Sequence, residues 1–211
     1  MQRTLSANPS KMNSVLKNAF MGVGIELSVY SLAMYIGMTL GIGNILFALG
    51  ALVIIFILPK FADSMAGFGL ANLMAALLGL SAAPVLQMYL DGGFINEIFI
   101  AAVATAAITY ALSIYAMTTS RDFSFMGGFL VAALIGLIVV GIMNIFIQST
   151  ILSLVGAYAG VLIFSGFIMY DVNTIVKEKQ GNWIMASVGL FLSIINLFWS
   201  ILRILGIFSS D

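Results

Sequence analysis

Seven stretches of the chain run for about twenty residues with hardly a charge, near 19–39, 42–58, 66–89, 94–117, 125–147, 152–170 and 183–208. A helix needs about 20 apolar residues to cross a hydrocarbon core of roughly 30 Å. Hydrocarbon leaves unpaired backbone groups unsatisfied, so a chain threads it as helices or as a closed barrel. A barrel strand alternates apolar and polar residues. The segment 131–140 is apolar throughout, so the pattern predicts helices. The expected fold is all-α, a polytopic bundle of seven transmembrane helices spanning 19–208. A polar amino-terminal tail (1–18) and a short carboxy-terminal tail (209–211) flank it. No cleavable leader is expected, because the apolar run after Lys17 is too long for one.

Charge supports this reading. The 211 residues carry 8 Lys plus Arg and 8 Asp plus Glu, a formal net charge of zero. Soluble domains carry about 25% charged residues; here the figure is 8%, against 62% hydrophobic. A balanced charge with no basic cluster gives no footing for nucleic acid, so no nucleic-acid partner is expected. The chain has no Cys and no His. Thiolate chemistry and imidazole catalysis are thereby absent, as are the commonest metal ligands. There is no phosphate-binding glycine loop with Lys and no His-x-x-Glu pair, so an enzyme is the weakest of the functional readings.

The placement of basic residues sets an expected orientation, since Lys and Arg favour cytoplasmic loops. Arg3, Lys11 and Lys17 precede the first stretch, Lys60 follows the second, Arg121 the fourth, and Lys177 and Lys179 the sixth. The alternate loops hold no Lys or Arg, only Asp91 and Glu97. The amino terminus is expected inside and, with an odd number of spans, Asp211 outside. Arg203, near the outer end of the last stretch, is the exception. Six spans with a half-inserted seventh would keep both ends inside.

Charged and polar groups within the spans are the candidate sites, because they face the bundle or a hydrated cavity. Glu26 lies about seven residues into the first span with no basic neighbour in sequence. It reads either as a hydrogen-bonded acid or as a proton- or cation-sensing one. Asp171 closes the sixth stretch and reads as an interfacial carboxylate or as an acid at a cavity mouth. Gly189, Ser193, Asn196, Ser200 and Arg203 are spaced four, three, four and three, which places all five on one helix face. Spacing alone leaves open whether that face is a helix contact or a water-lined wall. Asn72, Gln87, Thr105, Thr109, Asn144 and Gln148 are further interior polar groups. Pro84 is expected to kink the third span. Gly156 with Gly160, and Ala132 with Gly136, offer small residues four apart, which allow close helix approach.

Several segments carry a family likeness. The loop 118–128 around Arg121, Asp122 and Gly127 resembles the Bax inhibitor-1 family. So do Asn144-Ile145-Phe146, Tyr170-Asp171-Val172-Asn173 and Ile194-Ile195-Asn196-Leu197-Phe198, followed by Leu202-Arg203-Ile204-Leu205-Gly206. The likeness runs from the first span to the end and is strongest to the bacterial YccA branch. It implies a seven-helix fold around a partly hydrated cavity, and Asp171, Ser193, Asn196, Ser200, Asn144 and Glu26 are expected to line that cavity. It also implies an inner-membrane location and association with the membrane-anchored protease FtsH and its partners HflK–HflC. Arg3, Lys11 and Lys17 would then lie on the tail offered to the protease. Calcium-leak members of the family pair an aspartate in the sixth span with one in the seventh. Asp171 matches the first, while the second falls at Ser193, which weakens the leak reading and makes calcium at most a transient ligand. Glu26 is the one candidate to replace the missing acid, if the first span packs against the sixth and seventh.

The orientation has a direct check. A reporter active only in the cytoplasm should work when fused before Met1 and fail when fused after Asp211. Activity at both ends would overturn the odd number of crossings.

Overall fold

A computed structural model describes residues 9–177 and 181–209, with side chains from Ser14 onward. Its described residues form helices and connecting turns without a strand. In chain order the helices are α1 (Pro9–Leu40), α2 (Ile45–Ile57), α3 (Met65–Asp91), α4 (Ile95–Thr118), α5 (Met126–Ile147), α6 (Thr150–Val176) and α7 (Trp183–Ser209). Six are long and apolar enough to cross a membrane, and α2 is shorter. The structure is therefore a seven-helix membrane bundle.

The helix starts are written in the local sequence. Side-chain oxygens of Asn44, Ser64, Ser149 and Asn182 accept the backbone N–H of Leu46, Gly67, Leu152 and Met185. These residues satisfy donors that the first turn of a helix leaves free. α1 begins earlier than the sequence suggests. It starts at Pro9, a residue suited to the first helical position, so half of the stretch read as a polar tail is helical. Lys11 falls in this extension and Lys17 is exposed; Arg3 lies outside the described residues, as do Lys179, Ser210 and Asp211.

α1 and α3 pack in parallel. A Cβ on Gly37 would meet the Cβ of Ala83, and a Cβ on Gly79 would run into the carbonyl oxygen of Tyr30, with Ala33 beside it. Residue numbers rise together along both helices. The chain must therefore return to its starting end between Leu40 and Met65, and α2 with the 3-10 turn Leu58–Lys60 makes that return. At 13 residues, α2 spans only about 20 Å at ~1.5 Å per residue. The short crossing is thus the second, while α7, with 27 residues, is full length; the half-inserted seventh span is not what forms. α3 continues through Pro84 to Asp91. Gly43 packs on the Pro84 ring and on the Leu80 carbonyl, which a proline four residues on leaves without its helical donor.

α7 is the central helix. It buries eleven residues and touches α1, α3, α4 and α6. α6 and α7 are antiparallel in a constant register: Gly160 makes room for Ser200, and Gly189 makes room for Asp171. α5 is the opposite case. Leu130 is its one buried residue, and it packs mainly on α6. Of the small pairs read from sequence, Gly156 sits 3.7 Å, as a built Cβ, from Val140, whereas Gly136 meets nothing within 4 Å.

All described loops with Lys or Arg lie at one end. Lys177 donates to the carbonyls of Thr119 and Ser120 beside Arg121, at 3.4 and 3.2 Å. Asn182 joins Asp63, in the loop after Lys60, at 2.7 Å. Asn173 fastens the same end: its Oδ1 accepts Phe123 N–H at 2.9 Å, and its Nδ2 donates to the carbonyls of Ala116 and Arg121.

The α1–α3 approach is testable. Gly79→Val should lower the detergent melting temperature by several degrees, because even a Cβ is excluded there and core strain costs typically 1–3 kcal/mol. Gly69→Ala, where a Cβ meets nothing within 4 Å, should leave it unchanged. Equal melting of Gly79→Val and wild type would refute the register.

Candidate functional site: a polar-walled cavity and a buried carboxyl

Two polar features lie on different sides of α7. The first is a cavity of about 940 Å³. One wall is the predicted stripe: Gly189, Ser193, Asn196, Ser200 and Arg203 all line it. Asp171, Asn144 and Ser153 on neighbouring helices line it too. The opposite walls are aliphatic, from Leu134, Ile138 and Ile145 of α5 and Ile55 and Leu78 of α2 and α3.

Along the stripe, Ser193, Asn196 and Ser200 each donate one hydrogen bond to their own helix. Ser193 donates to Gly189 O at 2.9 Å, Asn196 to Leu192 O at 2.8 Å, and Ser200 to Asn196 O at 2.7 Å. The serine oxygens and the Asn196 side-chain carbonyl oxygen keep lone pairs for the lumen, and Asn196 keeps one further amide proton. Asp171 stands at one end, opposite Gly189, where a built Cβ would lie 3.1 Å from its Oδ2. Arg203 stands 14 positions after Gly189, about 21 Å along the helix at ~1.5 Å per residue. Beyond it Tyr89 packs on Gly206. Asn144 is held by two bonds: its Nδ2 donates to Ser153 Oγ at 2.7 Å and its Oδ1 accepts Ser149 N–H at 2.9 Å. The turn between them is closed by Gln148 at φ 52°.

The structure thus brings together Asp171, Ser193, Asn196, Ser200 and Asn144 as expected. It does not bring Glu26 to them, and the expectation that Glu26 lines the cavity is corrected. α1 does pack on α7, but against the other face. Glu26 is fully buried and accepts from Ser187 Oγ at 2.8 Å. Ser187 and Gly189 are two residues apart, about 200° around a helix, so α7 stands between the two carboxyls. Asp171 ends up beside a glycine and a serine, with no second acid on its wall among the described residues. α6 also extends past Asp171 to Val176, so this carboxyl lies within the helix instead of at its end.

Glu26 belongs to a second cluster that sequence reasoning did not assemble. Trp183 packs on Phe68 with ring centroids 5.2 Å apart and lies 3.5 Å from a Cβ built on Gly22. One turn further along these parallel helices stand Glu26, Asn72 and Ser187. Ser187 has one proton within reach of two acceptors, Glu26 Oε1 at 2.8 Å and Ile184 O at 2.9 Å. Asn72 spends its amide on Phe68 O. Glu26 Oε2 and Asn72 Oδ1 are buried without a partner among the described residues. The seam holds more acceptors than donors. Ser187 was missed because its partner lies 161 positions away on another helix; it falls outside the stripe spacing, and no local signal marks it.

These features define a class: a polytopic helical membrane protein with a polar-walled cavity beside its central helix. The family is shown by direct comparison. The sequence profile described as "Inhibitor of apoptosis-promoting Bax1" matches residues 12–210, and the chain belongs to this Bax inhibitor-1 family. It is 34% identical over 220 residues to a membrane protein of Vibrio cholerae, covering 100% of this chain and 95% of that one. It is 32% identical over 202 residues to "Modulator of FtsH protease YccA" of Escherichia coli K12, covering 94% and 92%. A shorter likeness, 40% over 104 residues, joins it to a Golgi anti-apoptotic protein of vaccinia virus, covering 49% and 44%.

The donor shortage gives a prediction. Glu26→Gln brings an amide donor to the seam and should keep the melting temperature within about two degrees. Glu26→Ala should destabilise by roughly 2–4 kcal/mol through a cavity and lost hydrogen bonding. Equal losses in both variants would mean that the carboxylate charge, not hydrogen bonding, holds α1 to α7.

Proposed function

We propose that this protein is a non-catalytic inner-membrane modulator of a membrane-anchored ATP-dependent protease of the FtsH type. The observation that carries the reading is the likeness to the E. coli modulator across 94% of the chain. A further E. coli relative bears the name "Inner membrane protein YccA", which supports the same membrane. The build of the bundle is compatible with such a role. A processive protease needs a polar end to grip, and the amino-terminal stretch with Arg3, Lys11 and Lys17 is the handle we assign. The seams α1–α3 and α6–α7 are closed by glycines, so pulling on that end meets a tightly packed body. HflK–HflC enter this reading as companions of the protease.

The second reading, a calcium leak through the cavity, rests on Asp171 facing the lumen. Calcium takes six to eight oxygens, usually several from carboxylates. The side-chain oxygens here are strung along α7 instead of converging, so the modulator reading is the stronger.

Affinity-tagged protein in membranes of a host expressing the protease should co-purify with it. Deleting residues 2–10 should slow degradation of this protein while co-purification persists. Absence of the protease from the wild-type eluate would sink the reading. Calcium flux in proteoliposomes that falls in Asp171→Asn would favour the leak.

A further inference from the structure

The cavity has an open side. α5 packs mainly on α6, and α2 on α3, yet residues of α5, α2 and α3 face each other across the lumen. Ile138, Gly141 and Ile145 line the cavity and are exposed at once. The gap therefore opens sideways, between α5 and the α2–α3 pair, toward the bilayer. Its volume, about 940 Å³, is at the upper end of the roughly 300–1,000 Å³ typical of ligand pockets. Its walls fit two chemistries: aliphatic side chains on α5, and a guanidinium at one end.

Among the described residues Arg203 is the only basic one lining the cavity, and it is exposed. Its five donors have no ion-pair partner among the described residues. The acids at its end of the bundle are engaged elsewhere and lie outside the lining: Asp91 accepts from Gln87 and Glu97 from Ser209, each at 2.8 Å. A guanidinium matches the oxygens of a phosphate, and tyrosines such as Tyr89 favour the headgroup level.

We propose that the cavity is a lateral site for an anionic phospholipid, with the phosphate held by Arg203 and one acyl chain lying against the aliphatic face of α5. The acyl chain fills space that would otherwise leave apolar walls facing empty volume or water. The charge selects anionic over zwitterionic headgroups, because the amine of a zwitterion would offset the attraction to Arg203.

The chain's two tryptophans provide the assay. Trp199 lines the cavity and Trp183 does not. Full-length Trp183→Phe protein in phosphatidylcholine nanodiscs is titrated with phosphatidylglycerol or phosphatidylcholine carrying identical brominated chains. Phosphatidylglycerol should half-quench Trp199 at about tenfold lower mole fraction, the effect of one charge-assisted contact. Arg203→Gln should erase that difference, and Arg203→Lys should restore part of it. Gly141→Leu fills the lumen where a Cβ meets nothing within 4 Å, and should weaken quenching by both lipids. Equal half-quenching by the two lipids, or a preference that survives Arg203→Gln, overturns the proposal. Should Arg203→Gln fail to fold, native mass spectrometry of the wild type decides: phosphatidylglycerol must be retained over phosphatidylcholine.

Discussion

The bundle rests on the backbone approach between α1 and α3, where Gly79 leaves room for the Tyr30 carbonyl and Gly37 for Ala83. In hydrocarbon, helices gain little from burying apolar surface, because lipid is as apolar as leucine; close packing of small residues supplies the attraction instead. Parallel neighbours at such short range impose the rest of the topology. The chain has to come back between them, and α2 makes that return even though it is short. α7 then enters the groove beside α1 and α3 in the same direction, which places Trp183, Ser187 and Phe191 on the α1 side and leaves the opposite face of α7 to the cavity.

The two faces of α7 separate two kinds of polar chemistry. Toward α1, Ser187 and Glu26 are fully buried, and the side-chain oxygen of Asn72 one turn along α3 is buried as well. Unsatisfied groups are expensive there, so the seam specifies how the helices pair. Toward α5, Ser193, Asn196 and Ser200 each donate one hydrogen bond to their own backbone and line an open lumen, with Asp171 and Arg203 at its ends. A helix offering both faces needs residues two apart to do different work, and Ser187 with Gly189 is that pair. The lateral opening beside α5 connects this arrangement to the bilayer.

Much of the candidate site was legible in the sequence. The four-three spacing from Gly189 to Arg203 put those residues on one face, because helical periodicity fixes which residues share a face; that this face lines a cavity came from the structure. Asp171 and Asn144 were placed on the same cavity through family likeness. Glu26 was assigned to the wrong side: depth in a span says that a carboxyl points inward, but not toward which neighbour. The helix start at Pro9 precedes the apolar span for a physical reason. Hydropathy reports where hydrocarbon begins, whereas a helix starts where backbone donors can be capped or dispensed with.

The sequence by itself determined that the chain lives in a membrane, that it is helical, and which face of the last helix is polar. These follow from short-range properties: apolar length, period and charge placement. Only the tertiary structure decided that α1 and α3 run side by side, that Glu26 answers to Ser187 and not to Asp171, that Asn173 ties the α4–α5 loop, and that α5 stands apart to leave a cavity. Those outcomes depend on which small residues meet across 46 to 161 positions of chain, a matter of interhelical fit that no local pattern encodes.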